Sequence, residues 1–346
     1  MKLLLITQKI DRNDSVLGFM HGWIAALAPR FSRIAVICLE EGNHALPANV
    51  AVYSLGKELG RSRYEYLYRF FLYLWRLRRD YDSVFVHMNP EYVVLAGLWW
   101  RATGKRVVLW YNHIHGGVFA RVAGVLAHRI CFVSPFSFFG SRKNATQMPA
   151  GIDTDLFTLD AIAPPRTVLS LGRISPVKNL EVLIDAARLL VDRGVWFQLS
   201  FYGNPTLTDR AYAECLRERA RLLIDRGAVH FHPGVPHGAT SALYHAAQIF
   251  VNCTNSGSMD KTTLEAMACG VVPLVSNRAY AAMLPPDIAA RCMFREGDVA
   301  HCAAQFERLL ALPDVATQQM RLAVRDVVLQ EHSLRLLVER ITQLYE

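Results

Sequence analysis

Short apolar runs that alternate with amphipathic helical stretches are the feature that most restricts what this chain can fold into. The first half opens on an apolar run at residues 3–7 and turns through the polar "QKIDRNDSVLG". It continues into the helical stretch "FMHGWIAALA", closed by Pro29. The runs "RIAVICLE", "SVFVHM" and "RVVLWY" follow, with helical segments between them. Strands this continuously apolar are buried on both faces, which parallel sheets achieve with crossover helices.

The pattern restarts near residue 163, after the Pro-rich break "IAPPRT" that suits a linker. A strand is expected at 168–171, then the turn Gly172-Arg173-Ile174-Ser175-Pro176 and the helix "KNLEVLIDAARLLVDRG". Leu180, Leu183, Ile184, Ala187, Leu190 and Val191 share one face of that helix, and Gly194 ends it. Further strands are expected at "WFQLSFYG", "VHFHPG", "QIFVNC" and "VVPLVS", with the charged helix "DRAYAECLRERARLLIDRG" among them. The spacing predicts an α/β protein of two doubly wound domains, residues 1–162 and 163–325. Residues 326–346 form a terminal amphipathic helix.

Composition removes several function classes. With 52% hydrophobic and 20% charged residues, the chain is core-forming and not disordered. No apolar run reaches the ~20 residues of a membrane span. The opening apolar stretch is too short for a signal peptide, so a cytoplasmic protein is expected. The seven cysteines form no C-x-x-C pair, which suggests neither a disulfide framework nor a zinc site. Residues 1–162 carry 19 Lys+Arg against 12 Asp+Glu, whereas residues 163–346 carry 19 against 18. That asymmetry points the first half toward a polyanionic partner.

Ligands of open α/β sheets bind outside the carboxyl ends of the strands, where helix N-termini offer N–H groups to anions. Three stretches fall at such places. In "LGRISPVKN", Arg173 follows a strand and Lys178 stands at the mouth of the next helix, a pair suited to a diphosphate. Solvated surface charges are the plainer reading. In "SMDKTTLEAMACG", Asp260 or Ser258 is placed to cap a helix, with amides near Lys261 and Thr262 facing a phosphate. Glu265 lies one turn further among apolar neighbours, where a carboxylate needs a partner. Vicinal hydroxyls of a ligand would serve, as would a neighbouring arginine. In "LWYNHIHGG", His113 and His115 lie just past a strand end and can orient or exchange protons with a hydroxyl substrate, or be structural. Gly18 admits a close backbone approach, or is a simple turn glycine.

Together "LGRISPVKNLEVLIDAARLL", "SMDKTTLEAMACGVVPLVSN", "AGIDTDLF" and "FVSPFSF" resemble, in content and order, the family 4 retaining glycosyltransferases. The resemblance implies a GT-B fold, two Rossmann-like domains facing across a cleft with the final helix crossing back. It implies a C-terminal domain that holds a nucleoside-diphosphate sugar, with Arg173 and Lys178 on the phosphates and Glu265 on the ribose. Amides near Lys261 and Thr262 complete the cradle, and Gly18 lies near the diphosphate. The N-terminal domain would bind a glycan or lipid-linked acceptor, with His113 beside the reacting sugar and His115 and His87 as acceptor-side candidates. No metal and no cofactor are implied. One departure stands out. The family has a Glu eight positions before the ribose Glu, and here that position is Gly257; Asp260 is expected to take part of its role.

The activity expected is retaining hexosyl transfer in cell-surface polysaccharide or glycolipid biosynthesis. A non-catalytic nucleotide-sugar-binding protein and a nucleotide-sugar 2-epimerase are the alternatives; nucleic acid is not an expected partner. The stretch "RSRYEYLYRFFLYLWRLRR" has two readings. As a domain helix it buries its aromatics and solvates its arginines. As an interfacial helix it touches anionic lipid, peripheral to the inner membrane leaflet.

Overall fold

The apolar runs of the first half become strands β1 (Lys2–Ile10), β2 (Arg33–Glu41), β4 (Ser83–His87) and β5 (Arg106–Trp110), joined by three others. Those three are β3 (Val50–Ser54), β6 (Arg129–Phe132) and β7 (Ala145–Gln147), of which only β7 is short and polar. The computed structural model describes residues 1–160 and 163–345. Among them these strands form one sheet in the order β3-β2-β1-β4-β5-β6-β7, every pair parallel. Strand order reverses between β1 and β4, as in dinucleotide-binding sheets.

Helix α1 (Phe19–Leu27) follows β1. Helices α2 (Arg63–Leu77), α3 (Pro90–Ala102) and α4 (Val118–Leu126) cover one face of the sheet. Alternate strand residues such as Leu4, Ile6, Val84, Val86, Val107 and Leu109 share one buried cluster with Phe70, Leu74, Trp100 and Ala123. Period-two selection of that kind places all three helices on the same side. Each fully buried large side chain contributes about 1.5–3 kcal/mol.

The second unit repeats the scheme. Its strands are β8 (Thr167–Leu171), β9 (Gln198–Tyr202), β10 (Val229–His232), β11 (Ile249–Asn252) and β12 (Val272–Val275), in the parallel order β10-β9-β8-β11-β12. Its helices are α5 (Leu180–Asp192), α6 (Arg210–Arg219), α7 (Arg221–Asp225), α8 (Thr240–His245), α9 (Lys261–Ala268), α10 (Pro286–Cys292), α11 (Val299–Leu310) and α12 (Asp314–Glu331). Gly194 closes α5 at φ +77°: its N–H donates to the Val191 carbonyl, and the Val195 N–H to Leu190. That is the Schellman arrangement, which favours glycine because a left-handed residue is required.

Three sequence expectations change. The charged helix over 209–227 is two helices, interrupted where the Ala220 N–H donates to both Leu216 and Arg217 carbonyls. The terminal helix over 326–346 is likewise two, α12 and α13 (Leu334–Gln343). The break falls where the Ile152 N–H donates to the His332 carbonyl at 2.8 Å and Ile152 bridges Ser333. Finally, the first unit comprises Met1–Gly151, Pro236–Gly238 and Leu334–Glu346, the second Ile152–Val235 and Ala239–Ser333. The chain thus passes between units at Gly151, not at the Pro-rich break; residue 162 itself lies outside the described residues. The intervening segment belongs to the second unit because α8 holds it: Ser241 Oγ donates to the Leu156 carbonyl, and the His245 ring meets the Thr158 carbonyl at 2.8 Å.

Within the first unit, Gly151 sits at φ +70°, and a Cβ there would stand 2.3 Å from Leu337 of α13. Its carbonyl accepts a hydrogen bond from Trp23 Nε1 of α1 at 2.8 Å. Among the described residues no helix is long and apolar enough to cross a membrane.

Candidate active site

The topological switch of the second sheet lies between β8 and β11, where α5 leaves to one side and α9 to the other. A crevice outside the carboxyl ends of these strands is the expected ligand position of such a sheet. A shallow open depression occupies it, lined by Leu171, Gly172, Arg173, Lys178, Asn252 and Cys253 among others.

The loop after β8 is shaped by its glycine. Gly172 takes φ +149°, its N–H donates to the Tyr202 carbonyl, and the Ile174 N–H donates to Asn204. Gly203 packs so closely that a Cβ there would lie 1.8 Å from the Gly172 oxygen. Arg173 is exposed at the rim and makes no side-chain ion pair among the described residues. Lys178 ends a short 3-10 turn, Pro176–Lys178, and Asn179 then adopts φ +46° before α5 begins. The expected helix start at Lys178 therefore shifts to Leu180. The left-handed Asn179 directs its Nδ2 to the Cys253 carbonyl (3.2 Å) and Asn255 Oδ1 (2.9 Å), tying the loop after β8 to the loop after β11.

Asp260 is the N-cap residue of α9, yet its side chain does not cap. Its Oδ2 instead accepts from Lys178 Nζ at 2.6 Å, Asn252 Nδ2 at 2.7 Å and Thr254 Oγ1 at 3.0 Å. Three donors, one of them a cation, are the stronger attraction for a carboxylate than a single amide. Burial alone would raise its pKa; the Lys178 charge and the hydrogen bonds from Asn252, Lys178 and Thr254 hold it below the ordinary carboxylate value. Tyr280 Oη donates to the Asp260 carbonyl at 3.0 Å, and Asn277 Nδ2 to that of Ser258 at 2.9 Å, so the turn into α9 is fixed from both sides.

The first-turn amides of any α-helix lack intrahelical acceptors, and in α9 that turn begins at Lys261 and Thr262. Lys261 is half-buried. Burial pulls its pKa down to about 7, opposed by the charge of Glu265. Glu265 is 3% exposed, and its Oε2 accepts a hydrogen bond from Tyr244 Oη at 2.9 Å. The carboxylate that the sequence sets against a ligand or an arginine thus has a tyrosine partner. Burial and the adjacent Glu265 raise the Tyr244 pKa well above its ordinary value, so the phenol remains a donor. At its other end α9 is anchored by Arg321 Nε on the Gly270 carbonyl and by Arg325 on Ala268, cations suited to a helix C-terminus.

The first unit places its candidates around its own switch point. His87 closes β4, is 4% exposed, and packs within 6.4 Å of the Phe19, Trp23 and Trp110 rings. His113 follows β5, with its ring edge-on to Tyr111 at 5.3 Å and its pKa lowered by desolvation against the opposing charge of Glu91. His115 is exposed, and its carbonyl accepts from Tyr111 Oη at 2.7 Å. A Cβ on Gly18 would stand 2.5 Å from the Asp14 carbonyl oxygen and 2.7 Å from the His237 Cβ, so the close packing around the turn into α1 requires glycine here.

Arg173 and Lys178 thus line the crevice, Asp260 is paired with Lys178, and Lys261, Thr262 and Glu265 follow Asp260 on α9. Sequence reading missed Asn252, Thr254, Asn179 and Tyr244. Asn252 carried a signal, an amide side chain ending an otherwise apolar strand; Tyr244, on a six-residue helix, carried none. Among the described residues no cluster of three or more His, Cys, Asp or Glu is arranged to hold a metal.

Residues 153–323 match the family model "Glycosyl transferases group 1". The α-monoglucosyldiacylglycerol synthase of Streptococcus pneumoniae is 28% identical over 151 residues, 43% of this chain and 33% of that protein. A D-inositol 3-phosphate glycosyltransferase of Thermomonospora curvata is 31% identical over 113 residues, 32% of this chain and 26% of that one. These alignments span only about a quarter to a third of the curated relatives' length. The crystal structure of Anabaena HepE in complex with UDP-glucose superposes at a TM-score of 0.78 with 15% identity, over 100% of this chain and 99% of that one. The fold is therefore GT-B, built from two Rossmann-like units, and residues 153–323 carry the likeness to the glycosyl transferases group 1.

Proposed function

We propose that this chain is a retaining, family 4 glycosyltransferase that moves a hexose from a nucleoside-diphosphate sugar to a hydroxyl of a glycan or lipid-linked acceptor. The setting we infer is cell-surface polysaccharide or glycolipid synthesis. The observation that carries the reading is that Arg173 and Lys178 line one crevice at a switch point, with Lys178 paired to Asp260 at the start of α9. Negative charge grows on the departing diphosphate as the glycosidic bond breaks. Fixed cations and amide dipoles already in place lower that barrier, with each such donor contributing about 3 kcal/mol.

In this reading Arg173 and Lys178 hold the diphosphate, and Lys261 and the amides near Thr262 receive it from the helix end. Glu265 accepts the ribose hydroxyls. A carboxylate offers about four lone-pair sites, so Tyr244 can orient it without exhausting its capacity. Asp260, clamped by three donors, positions Lys178 and stands in part for the carboxylate missing at Gly257. His113 lies beside the reacting sugar of the acceptor side. The acceptor hydroxyl attacks from the face the diphosphate leaves, so the anomeric configuration is kept without an enzyme nucleophile. With charge balanced by side chains and amides, no metal is required.

Two likenesses support the reading: HepE has been crystallised with UDP-glucose, and one relative is named as a synthase of a glucosylated diacylglycerol. A thermal-shift panel of UDP-, GDP- and ADP-sugars tests it. The correct donor at 100 times its Kd should add about 2.7 kcal/mol of stability. Proton NMR of the transfer product should then show the donor's anomeric configuration, with activity unchanged in EDTA. No stabilisation by any nucleotide sugar, or an inverted product, would refute it.

A further inference from the structure

Helix α2 divides its aromatic residues between two faces. Phe70, Leu74 and Leu77 are buried against the sheet, whereas Tyr64, Tyr68, Phe71 and Trp75 recur at helical spacing on the outside. Tyr64 is 87% exposed and Trp75 63%. The reading of this stretch as a domain helix buries its aromatics, whereas Tyr64, Tyr68, Phe71 and Trp75 stand outside. The neighbouring helices continue the surface: Leu95 and Leu98 on α3, and Val118, Val122 and Val125 on α4, with Leu98 72% and Val118 74% exposed. All three helices cover the same side of the sheet, so their outer faces look the same way. A run of exposed large apolar side chains on three adjacent helices exceeds what a monomer scatters at random.

Basic residues frame this apolar surface. Arg63, Arg76 and Arg79 on or beside α2, Arg101 on α3 and Arg121 on α4 are exposed. The Arg78 guanidinium lies over the Trp75 ring at 4.2 Å. Within the three helices only Glu65 and Glu91 are acidic, and Glu65 is paired with Arg61 at 3.1 Å. Tyrosine and tryptophan rings beside arginines are the side chains that settle at a lipid headgroup boundary. We propose that the outer face of α2, α3 and α4 docks on an anionic bilayer surface. A two-fold pairing of this face with a second copy would oppose arginine to arginine, whereas acidic headgroups complement it. This proposal is independent of the donor site, since it concerns binding to lipid without any sugar nucleotide.

The test is flotation of the full chain with vesicles of equal parts phosphatidylglycerol and phosphatidylcholine, and with phosphatidylcholine alone. The chain should float with the anionic vesicles and be released by molar salt. Trp75→Ser/Leu98→Ser and Arg63→Gln/Arg76→Gln/Arg79→Gln should each weaken binding about tenfold or more, with thermal stability preserved because these residues are exposed. Brominated phosphatidylcholine in the anionic vesicles should quench tryptophan emission in the wild type, and far less in Trp75→Phe. Wild-type chain that stays out of the floating fraction would overturn the proposal. So would variants that float like wild type, or concentration-dependent self-association abolished by the same variants without vesicle binding.

Discussion

Lys178 Nζ lies 2.6 Å from Asp260 Oδ2, an ion pair that joins the loop after β8 to the residue that opens α9. Both side chains are below 20% exposed, so the pair is only partly screened. Asp260→Asn should lose about 1–3 kcal/mol of stability near neutral pH, measured by urea denaturation. Since the folded carboxyl titrates below its ordinary value of 3.8, the folded state is the weaker proton binder. The stabilisation is complete above 3.8 and disappears as pH falls through the folded value. The gap between wild type and Asp260→Asn should therefore close in acid; a gap constant with pH would show that charge is not its origin.

Tyr244 and Glu265 make a second pair, buried and neutral-to-charged. Tyr244→Phe leaves a buried carboxylate oxygen short of a donor, and about 1–3 kcal/mol should be lost in thermal or urea unfolding. Nucleotide-sugar affinity should fall with it, because Glu265 loses its orientation. Glu265→Ala should abolish affinity for nucleosides that retain a ribose, and a free sugar-phosphate should be unaffected.

Lys261 supplies a pH signature. Its folded pKa of about 7 lies below the ordinary 10.5, so between these values the unfolded chain carries the proton and the folded chain does not. This residue's contribution to stability accordingly rises with pH across that window. A diphosphate beside it would restore the ammonium form. Calorimetric titration of UDP at pH 8 in buffers of different ionisation enthalpy should report proton uptake, absent in Lys261→Gln. Equal heats after buffer correction in both proteins would remove Lys261 from the site.

Gly203 tests the loop that carries Arg173. A methyl group there meets the Gly172 carbonyl oxygen at 1.8 Å, and backbone must move. Gly203→Ala should cost about 1–3 kcal/mol and lower donor affinity together. Gly194→Ala, at the end of α5 with no neighbour within 4 Å of the added carbon, should cost stability through its left-handed φ while sparing affinity.

How far the sequence alone could reach follows from which interactions are local. Continuous apolar runs foretold β1, β2, β4, β5, β11 and β12, because these parallel strands are buried on both faces. Arg173 and Lys178 were legible because strand, loop and helix lie consecutively in the chain. The polar edge strand β7 was not, since its pairing with β6 supplies the structure that its own "ATQ" does not encode. The same holds for the pairing of Lys178 with Asp260 across 82 positions, and for Tyr244 beneath Glu265. The split of the terminal helix depends on Ile152 reaching back to His332, again a distant contact.

A crystal structure of the chain soaked with the nucleoside diphosphate that stabilises it most is the direct test of the proposed donor site. The diphosphate should lie within hydrogen-bonding distance of Arg173, Lys178 and the first amides of α9, with both ribose hydroxyls on Glu265. A nucleotide bound elsewhere, with Glu265 out of reach of its ribose, would contradict the account.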